Sequence, residues 1–123
     1  MAYTATHKYA RISPRKVRAL ADLVRGKFAD EALDILRFQP HRGARMLEKV
    51  IKSALGNAEH QQAPGVDDLV VVDARIDGGP MFKRIRPRAR GMAFGIKRRM
   101  SHIKVSLDTV VAASDQAADG AKE

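Results

Sequence analysis

Apolar residues recur along this chain with two periods. Val17, Leu20, Ala21 and Val24 stand three and four apart, the stripe of an amphipathic helix. Ser13-Pro14 precedes them as N-cap and first helical residue, and Gly26 follows as a stop. A short second helix is predicted from a cap at Asp30 to Phe38, with Leu33, Ile35, Leu36 and Phe38 as its apolar surface and Gln39-Pro40 as its end. A third runs from about His41 to Gln61 on the stripe Leu47, Val50, Ile51, Ala54 and Ala58, and Pro64-Gly65 breaks it. Gly56 inside that helix costs roughly 1 kcal/mol against Ala, so it is expected to mark close approach of a neighbouring backbone.

The other period is two. Thr4 to Ile12 reads as extended, with Thr6, Tyr9 and Ile12 as its β-prone residues. Leu69 to Asp77 alternates, placing Val70, Val72, Ala74 and Ile76 on one side and Val71, Asp73, Arg75 and Asp77 on the other. Ile103 to Val111 alternates too, with Ile103, Val105, Leu107, Thr109 and Val111 together. Two strands separated by a long connection imply an antiparallel pair with a greatly extended hairpin. The predicted fold class is α+β: three helices packed on a small three-stranded antiparallel sheet, with a long protruding basic β-hairpin. Residues 1–112 form a single domain, including the hairpin at about 80–102, and the acidic, polar residues 113–123 are expected to be disordered. Legs of about ten residues would project roughly 30 Å, against a radius of gyration of only ~13 Å for a body of this size.

Charge sharpens this picture. The 123 residues carry 23 Lys and Arg against 14 Asp and Glu, a net +9. Residues 81–107 hold nine cations and no acid, while residues 1–27 hold seven cations and one acid. The two remaining segments, 28–80 and 108–123, are each −3. An ordinary surface intersperses both signs, so a stretch this one-sided points to a polyanionic partner. It is also expected to be incompletely ordered until counter-charge arrives. Arg side chains in it can fork onto phosphates and release counterions. On the first helix Arg15, Arg18 and Arg25 share a face with Asp22, Lys16 lies beside them, and Lys8, Arg11 and Lys27 are near in the chain.

Little else suggests chemistry. There is no Cys, which excludes disulfides, thiolate metal sites and a cysteine nucleophile. His7, His41, His60 and His102 lack metal-ligand spacing. Gly78-Gly79-Pro80 matches no phosphate-cradling loop, and no Ser sits in a nucleophile elbow. Neither catalytic residues nor a metal or cofactor is expected. No apolar run approaches the ~18 residues of a membrane span and no secretory signal is visible, so the expectation is a cytoplasmic protein with no membrane association. Two specific readings stand on the residues alone. One is an architectural DNA-binding protein with basic β-ribbon arms, its tip Pro wedged between base steps. The other is a metal-dependent nuclease built on Asp67, Asp68, Asp73 and Asp77, for which no His or Lys is placed to serve the carboxylates.

Four ordered blocks carry a family resemblance. They are Arg11-Ile12-Ser13-Pro14-Arg15-Lys16-Val17-Arg18 with Ala21 to Lys27, then Ala32 to Leu36, then Lys49 to Ala54 with Asn57-Ala58-Glu59-His60. The last is Gly79-Pro80 through Lys83-Arg84, Pro87-Arg88-Ala89 and Gly91 to Ser101-His102-Ile103. Over about residues 7–107 the chain resembles the bacterial large-subunit ribosomal protein twenty-two family. The resemblance implies a structural constituent of the ribosome, not an enzyme, that binds large-subunit ribosomal RNA and supports assembly. Its implied partners are that RNA, neighbouring large-subunit proteins and the nascent polypeptide, with no homo-oligomer. Implied RNA-binding residues are Lys8, Arg11, Ser13, Arg15, Lys16, Arg18, Arg25, Lys27, Asn57, His60, Lys83, Arg84, Arg86, Arg88, Arg90, Lys97, Arg98, Arg99, His102 and Lys104. The implied tunnel-lining tip is Arg86, Pro87, Arg88, Ala89, Arg90, Gly91, Met92 and Ala93. One departure stands out: the family usually has a cation directly after the tip glycine, where this chain has Met92, and Phe94 two residues on is also more apolar than expected. A thioether cannot pair with phosphate.

Overall fold

The structure is a computed structural model and describes residues 2–109. Strand β1 (Tyr3–Ala10) is followed by helices α1 (Pro14–Val24), α2 (Ala29–Arg37) and α3 (Arg42–His60). Two long strands, β2 (Val70–Pro87) and β3 (Ala93–Asp108), complete a three-stranded antiparallel sheet in the order β1-β3-β2. The chain is thus α+β. The proposed acidic tail, and Val111 with it, lies outside the described residues.

The helices pack on one face of the sheet. Val17, Leu20, Ala21 and Val24 of α1 are buried with Leu47, Val50, Ile51, Ala54 and Ala58 of α3, against Ile103, Val105 and Leu107 of β3. The stripes read from spacing in α1 and α3 therefore form core. The close approach lies elsewhere than expected: a Cβ on Gly56 would meet nothing within 4 Å, whereas one on Gly43 would lie 3.2 Å from Ile12 and Val17 and 3.3 Å from Leu20. Gly43 in the first turn of α3 is what lets α1 come near.

Two local expectations are corrected, and one holds without its expected bond. Helix α2 is capped by Phe28, and Asp30 stands inside its first turn with Glu31, where a carboxylate favours the positive end of the helix dipole. Phe38 is 84% exposed rather than core. It lies two residues past the buried Leu36, so helical geometry turns it about 200° away from the core side. Ser13 does precede Pro14 at the start of α1, but its hydroxyl makes no capping bond.

Strands β1 and β2 deviate from simple alternation because each carries an extra residue against β3. In β2 the register slips between Val71 and Asp73, so Leu69 and Val71 face the core with Ala74 and Ile76, and the predicted grouping of Val70 and Val72 with Ala74 fails. The extra residue reverses which side is inward, as any one-residue insertion must. In β1 the pairing slips between His7 and Ala10, leaving Tyr3, Ala5 and Ala10 buried and Tyr9 outward. Ile12 is buried beyond the strand's end.

Beyond Gly78 and Ser101 the β2–β3 ladder leaves the body and continues from Met81–Arg99 to Pro87–Ala93. A turn closes it, with the Arg88 amide donating to the Met92 carbonyl at 2.7 Å and with Arg90 and Gly91 at positive φ. This is the protruding hairpin, paired along its length.

Candidate nucleic-acid interface

Cross-strand pairing assigns the arm's side chains to two faces. Phe82, Arg84 and Arg86 share one with Arg98, Ile96 and Phe94. Met81, Lys83, Ile85 and Pro87 share the other with Arg99, Lys97, Gly95 and Ala93. On the first face each cation stands opposite an apolar residue, whereas the second gathers its cations toward the arm root and, Met81 apart, its apolar residues toward the tip. The Arg84 guanidinium lies 5.2 Å from the Phe82 ring centre and that of Arg88 5.9 Å from Phe94, so aromatic faces support part of the charge. Lys83 stands directly opposite Lys97, a like-charge pairing that disfavours the ladder in water. Among the described residues the ion pairs all belong to the body: Arg25–Asp22, Arg37–Asp34, Arg45–Glu48 and Arg75–Asp73. Within the described residues no acid pairs with a cation of the arm.

Where arm meets body there is a cleft of about 730 Å³. Arg11, Ile12, Ser13, Lys16 and Arg42 line it from the body; Phe82, Arg84 and Lys97 to Met100 line it from the arm. Among the described residues that line it, seven are cations and none is an acid. Both α1 and α3 begin at this cleft, so their N-terminal dipole ends add positive potential. The geometry is held by side-chain bonds to backbone. The buried Ser101 hydroxyl donates to the Ile12 carbonyl at 2.6 Å, and Arg42 donates to the Arg11 carbonyl. Those two bonds tie the 11–13 linker to the arm root on one side and to α3 on the other. An adjoining groove of about 530 Å³ adds Arg15 and His41.

The structure thus brings together Arg11, Ser13, Lys16, Arg84, Lys97, Arg98 and Arg99, with Arg15 beside them. Arg86, Arg88 and Arg90 are exposed at the tip with Pro87, Ala89, Gly91, Met92 and Ala93. Lys83 is exposed on the opposite arm face from Arg84. Arg18 and Arg25 lie apart from the cleft. Arg18 donates through Nε and Nη2 to the Ile76 carbonyl at 3.3 and 3.2 Å. Arg25 donates to the Ala74 carbonyl at 2.6 Å and to Asp22 at 2.7 Å. They latch α1 to the outer edge of β2 and carry charge to a separate groove shared with Arg75. Asn57 donates its amide to the Thr4 carbonyl at 2.7 Å, joining α3 to β1, and His60 ends that helix in solvent. Lys8 and Lys104 are exposed on β1 and β3, and Lys27 on the loop before α2. His102 accepts the Tyr9 amide proton at Nδ1, 3.1 Å away.

Sequence reading missed Arg42. The available signal was its position, the first residue of a helix whose start was already placed at His41. Asp73 faces Arg75 at 3.5 Å, and among the described residues no three His, Cys, Asp or Glu side chains group to hold a metal.

Residues 5–108 match the model of the family described as ribosomal protein L22p/L17e. The chain is 66% identical over 110 residues to the large ribosomal subunit protein uL22 of Rhodopirellula baltica, covering 85% of this chain and 92% of that protein. It is 57% identical over 104 residues to uL22 of Caldicellulosiruptor saccharolyticus, covering 85% of each, and 56% identical over 104 residues to uL22 of Desulfotalea psychrophila, covering 85% and 94%.

Proposed function

The chain belongs to the ribosomal protein L22p/L17e family, and from that premise we propose that it works by driving a charged arm between segments of large-subunit ribosomal RNA. It is a structural constituent of the large ribosomal subunit, not an enzyme. The observation that carries the proposal is the cleft of seven cations at the arm root, acid-free among the described residues, continuing into a hairpin whose cations form no ion pair among them. Closely packed RNA strands repel; cations inserted between them replace diffuse counterions with fixed charge, and the released ions favour binding. Arg forks add charge-assisted hydrogen bonds to phosphate. The body sets the direction of the arm through Ser101, Arg42 and the β-ladder, so body and arm act as one RNA-binding unit. Binding of RNA segments brought close in this way supports subunit assembly.

The tip, Arg86 to Ala93, is read as lining the nascent-peptide tunnel, with the growing chain and neighbouring large-subunit proteins as further partners. Met92 at 57% and Phe94 at 51% exposure give that tip an apolar surface beside Arg86, Arg88 and Arg90.

The test is binding of the full chain to transcribed large-subunit RNA across a salt series. Wild type is expected to bind with steep salt dependence. Replacing Lys97, Arg98 and Arg99 with Gln should flatten the slope of log K against log salt by about 2 to 3, one counterion per lost phosphate contact. A salt-insensitive interaction, or unchanged binding by the triple variant, overturns the mechanism. Competition by duplex DNA as effective as by RNA would instead favour an architectural DNA-binding role.

A further inference from the structure

Tyr9 occupies a position that the phosphate chemistry leaves unexplained. Its backbone φ is +60°, in the left-handed region that favours Gly, Asn and Asp over bulky residues. The cause is the bulge in β1, where pairing passes from His7–Ile103 to Ala10–Ser101 with one extra residue. Before the bulge, Tyr3 and Ala5 point to the core; an uninterrupted strand would send Tyr9 the same way. The extra residue puts Ala10 inward in its place and leaves Tyr9 57% exposed. A glycine would make this bulge with less strain.

The exposed ring is nonetheless held. It meets the His102 ring edge-on, with centroids 5.0 Å apart and planes at 86°. The Tyr9 amide donates to His102 Nδ1 at 3.1 Å, which fixes the imidazole as well. His102 is backed by Gly79, where a Cβ would come within 3.3 Å of the imidazole. A T-shaped contact takes at most one face of an aromatic ring, and at 57% exposure Tyr9 keeps much of its surface in solvent. Lys8 and Arg11 flank it in the chain and no acid occurs before Asp22; the acid placed near by pairing is Asp77, opposite His102.

We propose that Tyr9 is a stacking platform for one unpaired nucleobase of the large-subunit RNA, with Lys8 and Arg11 taking the phosphates on either side. The proposal rests on the RNA-binding reading above. A fixed aromatic face amid cations has the chemistry that single-stranded bases recognise: stacking on the ring and charge on the backbone. The fixed rotamer reduces what binding must immobilise.

The experiment compares the full wild-type chain with Tyr9→Leu and Tyr9→Phe on transcribed large-subunit RNA, each checked for folding by thermal melting. Tyr9→Leu is expected to bind roughly five- to a hundredfold more weakly, the range for loss of one base stack. Its salt slope should match wild type, because stacking releases no counterions. Tyr9→Phe should bind within about twofold of wild type, since the ring face is kept. Ultraviolet crosslinking of the wild-type complex, mapped by mass spectrometry, should place a base on Tyr9. Crosslinking needs no variant and decides the matter should Tyr9→Leu fail to fold. Wild-type affinity in Tyr9→Leu overturns the platform, and so does equal weakening in both variants, which would assign the effect to the hydroxyl. Unchanged RNA affinity with poorer retention of Tyr9→Leu in assembled subunits also overturns it, in favour of a protein contact. Absence of RNA binding by wild type overturns the underlying reading itself.

Discussion

Strands β2 and β3 live two different lives. Inside the body Ile103, Val105 and Leu107 are fully buried and the helices cover one face of the ladder. A few residues further on, the same strands carry Ile85 at 75% and Phe94 at 51% exposure, with no layer of the described residues against either face. The local geometry is alike: antiparallel pairing continues from Val70–Asp108 to Pro87–Ala93 with two bulges. What differs is the source of stability. The body gains from apolar area removed from water, whereas the arm has ladder hydrogen bonds and little burial, opposed by facing cations such as Lys83 and Lys97. The lesson is that one ladder can be both scaffold and probe, provided something outside the molecule completes the second part.

That contrast can be broken in order of effect. The largest is expected from Ile51→Ala in α3, which opens a cavity at a fully buried site and should cost about 2–5 kcal/mol in denaturant unfolding. The matched change Ile85→Ala on the arm should shift stability by less than about 0.5 kcal/mol. A large loss at Ile85 would mean that the arm is packed after all. Next comes the junction. Ser101→Ala strands the Ile12 carbonyl and should cost about 1–3 kcal/mol. Because this bond joins the linker to the arm root, RNA binding should weaken beyond what lost stability explains. The smallest effect is a gain: Gly56→Ala on the open side of α3 should raise stability by about 0.5–1 kcal/mol with RNA binding unchanged. A loss there would reveal a contact made only in the assembled particle.

Local signals made much of this legible. The stripe Val17, Leu20, Ala21, Val24 and the stripe of α3 are buried as their spacing requires, because a helix repeats every 3.6 residues regardless of what it packs against. The acid-free run at 81–107 identified the charged arm, since charge is a property of composition. Position along the chain could not show that Arg18 and Arg25 latch onto β2 carbonyls, or that Asn57 reaches β1. These partners lie 49 to 58 residues away.

The amino-acid order alone thus determined the helices, the strand pair and the one-sided positive charge, each a matter of period or local composition. The tertiary structure decided the bulges, the cleft and the outward turn of Tyr9. A single inserted residue reverses a strand's inward side without altering its composition, and only the partner strand reveals it. Likewise Arg11, Arg42 and Arg99 become one site only when the arm root is fastened beside the starts of α1 and α3. Charge can be counted in one dimension, but its concentration into a binding surface depends on distances that folding alone creates.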